Sequence, residues 1–466
     1  MAIFDAIMIL SMILVFVVGY AAIALEHPLK VNKTASALIT AVLLWSILAL
    51  FPIPDSIFST EIFTQFLNKL KFEGLFEGVS QSELFREYAG HELSHHLGSI
   101  AEILFFLLGA MTIVELVDSH QGFKVITNRI KTKDSQKLLI IISILAFFMS
   151  AVLDNLTTSI VMVSLLRKLI HNHLQRKLYA GMVIIAANAG GAWSPIGDVT
   201  TTMLWIGGQI TSVNIIKTLI LPSIICMVIP LIIVARQMKG RVIRAPYDYK
   251  AAEEQELVKG SRIMLVMGIG ALLFVPIFKT VTHLPPYLGM LFGLGVLWLT
   301  SEMIHIDKTE EEKKPYSALH ALSKIDTSSV LFFLGILLSI SALETMNILR
   351  ITAEWLNSSI GDMKIIVFII GVLSAIVDNV PLVAASMGMY DLATYPVDHW
   401  MWEFMAYCAG TGGSILIIGS AAGVAVMGME RINFVWYVKK ISGLAFLGYT
   451  AGAIVYLLIY PYLAVH

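Results

Sequence analysis

Two short stretches, at matching places in the two halves of the chain, decide the fold. The first reads Ser150-Ala-Val-Leu-Asp154-Asn155-Leu-Thr157-Thr158, and the second reads Ser374-Ala-Ile-Val-Asp378-Asn379-Val-Pro381. They lie inside the long apolar runs 138–166 and 365–390. A charged side chain at the centre of a membrane helix costs about 2.5–3.5 kcal/mol on insertion scales and indicates a functional site. Because the Asp-Asn pair recurs at matched depth, we expect function at both stretches in addition to helix capping.

The composition around these stretches is that of a polytopic membrane protein. The 466 residues are 57% hydrophobic and 14% charged, whereas a soluble globular chain carries about 25% charge. The net charge of −1 gives no basic face, which excludes a nucleic-acid binder. The apolar runs do not alternate every second residue, as the strands of an outer-membrane barrel do. Cys226 and Cys408 both lie in apolar runs, so a disulfide framework is not expected.

Twelve apolar runs are long enough to enter a membrane. They are 3–25, 34–53, 99–118, 138–166, 180–208, 214–235, 263–282, 285–302, 329–348, 365–390, 403–428 and 441–463. Basic segments flank 138–166 on both sides, which indicates that this run enters and returns on the same side. We therefore predict re-entrant helical hairpins at 138–166 and 365–390, and about ten full crossings. With both termini outside, most of the 32 Lys and Arg residues fall inside.

The two halves of the chain form an internal repeat. In each half the hairpin is followed by a run broken by glycines, Ala189-Gly190-Gly191 in one and Thr411-Gly412-Gly413 in the other. The charge pattern places the two copies in opposite orientations. We predict a first repeat over 1–235, a cytoplasmic linker over 236–262 and a second repeat over 263–466. An inverted repeat with broken helices is the architecture of secondary transporters, whose binding site lies near the midplane.

Oxygen-bearing side chains gather at the hairpin tips and at the helix breaks. The candidate ion- or substrate-binding residues are Asp154, Asn155, Thr157, Thr158, Asn188, Ser194, Asp198, Thr200, Thr201, Asp378, Asn379, Pro381, Thr411 and Ser414. Hard oxygen ligands suit Na⁺, Li⁺ or hard divalent cations. We expect Na⁺ at Asp154, Asp198 and Asp378, where protons would compete with it. Glu115 and Glu344, near the ends of neighbouring runs, are weaker candidates for a proton relay.

At these residues the chain resembles the NhaD-type sodium/proton antiporters of the ion transporter superfamily. The resembling stretches are 101–122, 150–166, 186–205, 374–390 and 410–428. The resemblance implies exchange of Na⁺ or Li⁺ for protons across a bacterial inner membrane. The Lys and Arg distribution predicts that both termini are periplasmic. The resemblance implies no enzyme activity, no cofactor and no nucleic-acid partner. The expected partners are the lipid bilayer and monovalent cations, and the resemblance allows a homodimer.

Two alternatives remain open at this point. His91-Glu92-Leu-Ser-His95 matches the H-E-x-x-H pattern of zinc proteases. It lies in an extramembrane stretch with no third ligand in a catalytic context, so we expect a solvated histidine pair there. The other alternative is an ion-coupled carboxylate or anion transporter of the same superfamily, whose dicarboxylate members carry Ser-Asn-Thr at the hairpin tips. Asp154 and Asp378 add negative charge that disfavours an anion.

Overall fold

The computed structural model describes residues 2–51, 63–64, 66–68, 81–127, 130, 132–238, 240, 242, 258–376 and 378–463. Every regular element in these residues is helical, and no β-strand forms among them. This confirms the predicted all-α polytopic class. Most of the predicted linker 236–262, and much of the extramembrane stretch before residue 81, lies outside the described residues.

The helices are numbered in chain order. They are α1 (Ala2–Ala24), α2 (Glu26–Leu29), α3 (Lys33–Leu50), α4 (Gln81–Ser119), α5 (Gly122–Thr127), α6 (Ser135–Leu153), α7 (Asn155–Leu169), α8 (His173–Ala192), α9 (Val199–Ile206), α10 (Ser212–Gln237), α11 (Ser261–Thr282), α12 (Pro286–Ile304), α13 (Glu310–Lys313), α14 (Ala318–Lys324), α15 (Thr327–Thr345), α16 (Ile348–Ile360), α17 (Met363–Leu373), α18 (Asn379–Met389), α19 (Trp400–Gly412), α20 (Ala421–Glu430), α21 (Phe434–Tyr437) and α22 (Gly443–Leu463). A short 3₁₀ turn covers Lys314–Tyr316, and a π-helical turn over Val438–Ser442 precedes α22.

Polar residues just before the apolar runs explain where several helices begin. A side-chain oxygen before each of these helices accepts a hydrogen bond from a backbone N–H of the first turn, which has no partner inside the helix. The capping residues are Asn32 for α3, Asp134 for α6, Asn172 for α8, Asp326 for α15 and Asp362 for α17. The caps therefore fix the ends of the apolar segments that the sequence predicts.

Among the described residues, eight helices are long and apolar enough to cross a membrane. The number rises to nine if the adjacent helices α16 and α17 form one broken span. The sequence predicts about ten crossings, and the difference has a physical cause. The predicted spans 180–208 and 403–428 are each divided into two shorter helices by their glycine-rich breaks. Helix α6, predicted as one arm of a hairpin, is long enough to count by itself.

The chain forms two compact units, and each takes residues from both sequence halves. The first unit comprises Met1–Leu104, Asp326–Gly361 and Ala384–Asp391. Within it, α3 and α15 pack closely. The hydroxyl of Thr34 donates to the carbonyl of Ser328 at 2.9 Å, and the indole N–H of Trp45 donates to the carbonyl of Leu338 at 2.9 Å. The second unit comprises Phe105–Ile325, Asp362–Val383 and Leu392–His466, and it contains both helix breaks.

In the second unit, α6 and α7 form the predicted hairpin. The hydroxyl of Tyr179, on α8, donates to the carbonyl of Ser135 at the start of α6, at 2.7 Å. One turn earlier on α8, Arg176 donates to the carbonyl of Ile170, which follows the end of α7, at 3.0 Å. The start of α6 and the end of α7 therefore lie at the same end of α8, so the chain enters and returns.

The same packing recurs around the second break. The hydroxyl of Ser150 on α6 donates to the carbonyl of Ala187 on α8 at 2.6 Å, and Ser374, just after α17, donates to the carbonyl of Ala409 on α19 at 3.1 Å. Helix pairs α6–α8 and α17–α19 also approach closely through glycine. A Cβ on Gly190 would collide with the carbonyl of Phe147, and a Cβ on Gly412 would collide with the carbonyl of Gly371. Only glycine fits at these matched contacts.

The two copies run in opposite directions. Glu430, at the end of α20, reaches Arg176 at the start of α8, with its Oε2 atom 2.6 Å from Arg176 Nε. Asp398, before α19, accepts a hydrogen bond from the backbone N–H of Thr211, after α9, at 2.6 Å. The paths α8–α9 and α19–α20 are therefore antiparallel, with their breaks at the same level. This is the inverted arrangement that the charge pattern predicts.

Candidate ion-binding site

Asp154 forms the tip of the first hairpin. It separates α6 from α7, and its carboxylate accepts hydrogen bonds from the backbone N–H and the hydroxyl of Thr157, both at 2.8 Å. These contacts make it the N-cap of α7. Its φ of 77° is unusual for a residue with a Cβ, and such backbone strain, about 1–3 kcal/mol, concentrates at functional sites. Asp154 is half-buried.

Asp198 is the centre of the site. It follows the break after α8, caps α9 through the backbone N–H of Thr200 at 3.2 Å, and is 2% exposed. Its Oδ2 atom accepts from the amide of Asn155 at 3.0 Å and from the amide of Asn379 at 3.3 Å. Asn155 belongs to the first hairpin tip and Asn379 to the second predicted tip. One buried carboxylate therefore joins both tips and the first helix break.

The amide network continues into the second break. The side-chain amide of Asn155 also donates to Asn188 on α8 at 3.0 Å, and Asn188 donates to the hydroxyl of Ser420 at 3.1 Å. Ser420 caps α20 as Asp198 caps α9, and both residues have a φ of −145°. The two breaks thus have the same backbone geometry, but only the first carries a carboxylate.

The three predicted aspartates are not gathered into one ligand group. Asp378 is half-buried beside the start of α18, where it accepts from the backbone N–H of Val380 at 3.4 Å. Asp154 and Asp378 both act electrostatically on Asp198. Among the described residues, however, no three His, Cys, Asp or Glu side chains lie close enough together to hold a metal ion. Amide groups, not carboxylates, lie next to Asp198.

Several predicted hydroxyls are already bound to backbone carbonyls. These pairs are Ser194 to Ala151 at 2.5 Å, Thr201 to Asp198 at 2.9 Å, Thr411 to Tyr407 at 2.6 Å and Ser414 to Thr411 at 2.7 Å. Their role in this conformation is to hold the broken helices together. The hydroxyl of Thr158 differs, because it is fully buried and has no hydrogen-bond partner in the described part of the chain. Pro381 lies in the first turn of α18, where its missing N–H leaves no helix bond unmade.

The two glutamates predicted as a proton relay lie in different units. Glu115 belongs to the second unit and forms an ion pair with Lys324 at 3.1 Å. That contact supports a structural role at the end of the span. Glu344 belongs to the first unit, where Glu92 and His95 act on it electrostatically.

The H-E-x-x-H stretch lies on α4, a single helix of 39 residues. His91 Nδ1 lies 3.3 Å from Glu92 Oε1, while His95 is exposed. A zinc protease needs a third ligand, and the described residues contain no group of three that could bind a metal. The structure therefore gives no support to the protease alternative.

Sequence reasoning missed two buried glutamates of the second unit. Glu403 stands at the first position of the run 403–428, and Glu430 lies just beyond that run, so both are expected at a membrane surface. Both are instead buried, at 3% and 1% exposure. Glu430 is bound by Arg167 at 2.8 Å and by Arg176 at 2.6 Å.

The fold and the site together define a class of protein. Two antiparallel broken helices, with a hairpin tip and a buried polar network at their breaks, form the architecture of a secondary transporter. The chain is a polytopic membrane transporter of this class and not an enzyme.

The chain belongs to the citrate transporter family CitMHS, whose model matches residues 14–410. Its curated relatives include sodium/proton antiporter 1 of Arabidopsis thaliana, which is 47% identical over 458 residues, 98% of this chain and 72% of that protein. Sodium/proton antiporter 2 of the same plant is 46% identical over 97% of this chain and 100% of that protein. The Na⁺/H⁺ antiporter NhaD of Alkalimonas amylolytica is 28% identical over 96% of this chain and 89% of that protein. These relatives confirm the resemblance found in the sequence.

Proposed function

We propose that this transporter exchanges Na⁺ or Li⁺ for protons by alternating access. The observation that carries the proposal is the convergence of amides from both tips, Asn155 and Asn379, on the single buried carboxylate of Asp198. A cation or a proton that binds to Asp198 therefore changes the hydrogen bonds to both tips. The relatives named as sodium/proton antiporters support Na⁺ and protons as the substrates.

The charges of the site favour a cation over an anion. Neither Asp154 nor Asp198 forms an ion pair with Lys or Arg among the residues that the structure describes. A carboxylate substrate such as citrate would need positive groups to replace its water, and it would be repelled by the carboxylate of Asp198. The description of the family as citrate transporters makes this alternative worth testing directly.

Exchange follows from the chemistry of Asp198 and its two amides. In the described conformation, Asp198 accepts three N–H groups. A cation at this carboxylate needs oxygen ligands, so the amides must turn and present their carbonyl oxygens. A proton on Asp198 removes the charge that the cation needs. Since the cation and the proton compete for one carboxylate, the site binds one or the other in each half of the cycle.

The proposed location is a bacterial inner membrane, with both termini on the periplasmic side. The Lys and Arg distribution supports this orientation, and the bacterial NhaD relatives support the membrane. Labelling of single cysteines placed near each terminus, from one side of intact cells, tests the orientation. Labelling of either terminus only after the cells are opened would contradict it.

Purified protein in vesicles tests the proposed substrates. An outward Na⁺ gradient should drive protons inward, as followed by a trapped pH dye. Asp198→Asn should remove at least nine-tenths of this flux, while Asp307→Asn, at an exposed position, should leave it unchanged. Labelled citrate that exchanges across the same vesicles, with no Na⁺-driven proton movement, would instead establish the anion alternative.

A further inference from the structure

Glu403 is a buried acid that the proposed exchange at Asp198 does not use. It lies in the first turn of α19. One of its carboxyl oxygens is bound by the amide of Asn214 on α10. The other lies 2.7 Å from the hydroxyl of Tyr456 on α22. Glu403 thus joins three helices of the second unit.

The hydrogen count at Tyr456 favours a protonated Glu403. The hydroxyl oxygen of Tyr456 also lies 2.9 Å from the backbone carbonyl of Trp400. A carbonyl only accepts, and a tyrosine hydroxyl has one hydrogen to donate. A protonated Glu403 supplies a second hydrogen, so that Tyr456 can donate to Trp400 and accept from the carboxyl group. With an ionised Glu403, two acceptors would compete for one hydrogen.

The surroundings of Glu403 agree with a neutral acid. The groups that face it from α10 are the neutral side chains of Asn214 and Thr218, and α22 contributes Tyr456. The nearby charge is the carboxylate of Asp398, in the loop before α19. No Lys, Arg or His forms an ion pair with Glu403 in the part of the chain that the structure describes. An ionised carboxyl group here would be buried without a positive partner.

We propose that Glu403 is a second proton-binding residue of the exchange cycle, separate from Asp198. This inference rests on the proposed function. Glu403 holds its proton in the described conformation. When the contact between α19, α10 and α22 opens, its O–H bond breaks and the proton passes to water near Asp398. The carboxylate regains a proton when the contact closes.

The position of Glu403 links it to the main site along one helix. Gly410 stands seven residues further along α19, which places it on the same face and about 10 Å away. A Cβ at Gly410 would lie 3.6 Å from Asp198 Oδ2. When a cation replaces the proton at Asp198 and α19 moves, the packing of Glu403 therefore changes as well.

The variant Glu403→Gln separates a proton carrier from a structural acid. The glutamine amide can donate to Tyr456 and accept from Asn214, so it reproduces the hydrogen bonds of the neutral acid. A purely structural acid would then leave folding, exchange and pH profile unchanged. Loss of a transported proton instead changes the number of protons moved per Na⁺ and the pH profile, in a protein that is still folded.

Infrared difference spectra and transport on the same vesicles test the inference. We expect protonated-carboxyl C=O absorption in the wild type that weakens on addition of Na⁺. Glu403→Gln should remove one component of it, the Glu403 band, and leave the absorption of Asp198 in place. We also expect this variant to move one proton fewer per Na⁺. If Glu403→Gln does not fold, Tyr456→Phe should shift the frequency of the band, because the acid loses its acceptor.

The outcomes separate the two proposals. Carboxyl absorption that loses no component in Glu403→Gln, or a Glu403 band that does not shift in Tyr456→Phe or does not respond to Na⁺ and pH, would overturn the role of Glu403. Wild-type stoichiometry and pH profile in Glu403→Gln would overturn it as well, and would leave the proposed exchange intact. Absence of Na⁺-driven proton movement in the wild type would overturn both.

Discussion

Asn155→Ala should destabilise the sodium-free protein more than Asn379→Ala. Asn155 makes two hydrogen bonds of 3.0 Å, to the buried carboxylate of Asp198 and to Asn188. A hydrogen bond to a charged group contributes about 1.5–3 kcal/mol and a neutral one about 0.5–1.5 kcal/mol, so the loss is about 2–4.5 kcal/mol. Asn379 makes one bond to Asp198, which is longer at 3.3 Å, and we expect a loss of about 1–2 kcal/mol.

The assay is the unfolding midpoint of the purified variants in sodium-free buffer, with Asn357→Ala as an exposed control. The control should shift stability by less than about 0.5 kcal/mol. In an Asp198→Asn background the effect of Asn379→Ala should shrink, because contacting residues couple in double-mutant cycles. Equal losses for Asn155→Ala and Asn379→Ala, or an effect of Asn379→Ala that is unchanged beside Asp198→Asn, would refute the reasoning.

Three further predictions concern the scaffold of the second unit. Gly412→Ala should lower the free energy of unfolding by about 1–3 kcal/mol or more, and the thermal midpoint with it, because its Cβ would collide with the carbonyl of Gly371. Gly428→Ala, with open space around it, should not lower that midpoint, and an equal drop would contradict the packing. Burial lowers the pKa of His305 to about 4, so stability should fall as pH drops from about 6.5 towards 4, by up to about 1.4 kcal/mol per pH unit. His305→Phe should flatten this part of a stability-versus-pH curve, and an unchanged slope would exclude His305 as its cause. Glu430→Gln should cost about 1.5–3 kcal/mol in chemical denaturation, since two arginines lose a charged acceptor, whereas an unshifted midpoint would show that the cluster is not stabilising.

The sequence predicts the architecture well because its signals are local. The local backbone requires particular residue types at these positions. This explains why Asp154-Asn155 recurs as Asp378-Asn379 and why glycine is present at Gly190 and Gly412. A hairpin tip needs a capping residue, and two closely packed helices need a residue without Cβ. Charge flanking each run then indicates the orientation.

The internal order of the site is not visible in the sequence. Three aspartates at comparable depth suggest one shared ligand group, yet the amides of Asn155 and Asn379 lie beside Asp198 instead. That arrangement depends on the packing of side chains from three separate segments. Glu403 was missed for a related reason. It is the first residue of an apolar run, and it is buried only because α10 and α22 pack against it.

The pH dependence of Na⁺ binding tests the central claim most directly. Isothermal titration of the purified transporter, from pH 6 to pH 9, measures the Na⁺ dissociation constant and the number of sites. If protons and Na⁺ compete for Asp198, the Na⁺ dissociation constant should rise by up to about tenfold for each unit by which the pH falls in the acidic part of this range. The number of sites should stay unchanged. Asp198→Asn should abolish this binding. A dissociation constant that is flat across the range, or Na⁺ binding of wild-type strength in Asp198→Asn, would contradict the account.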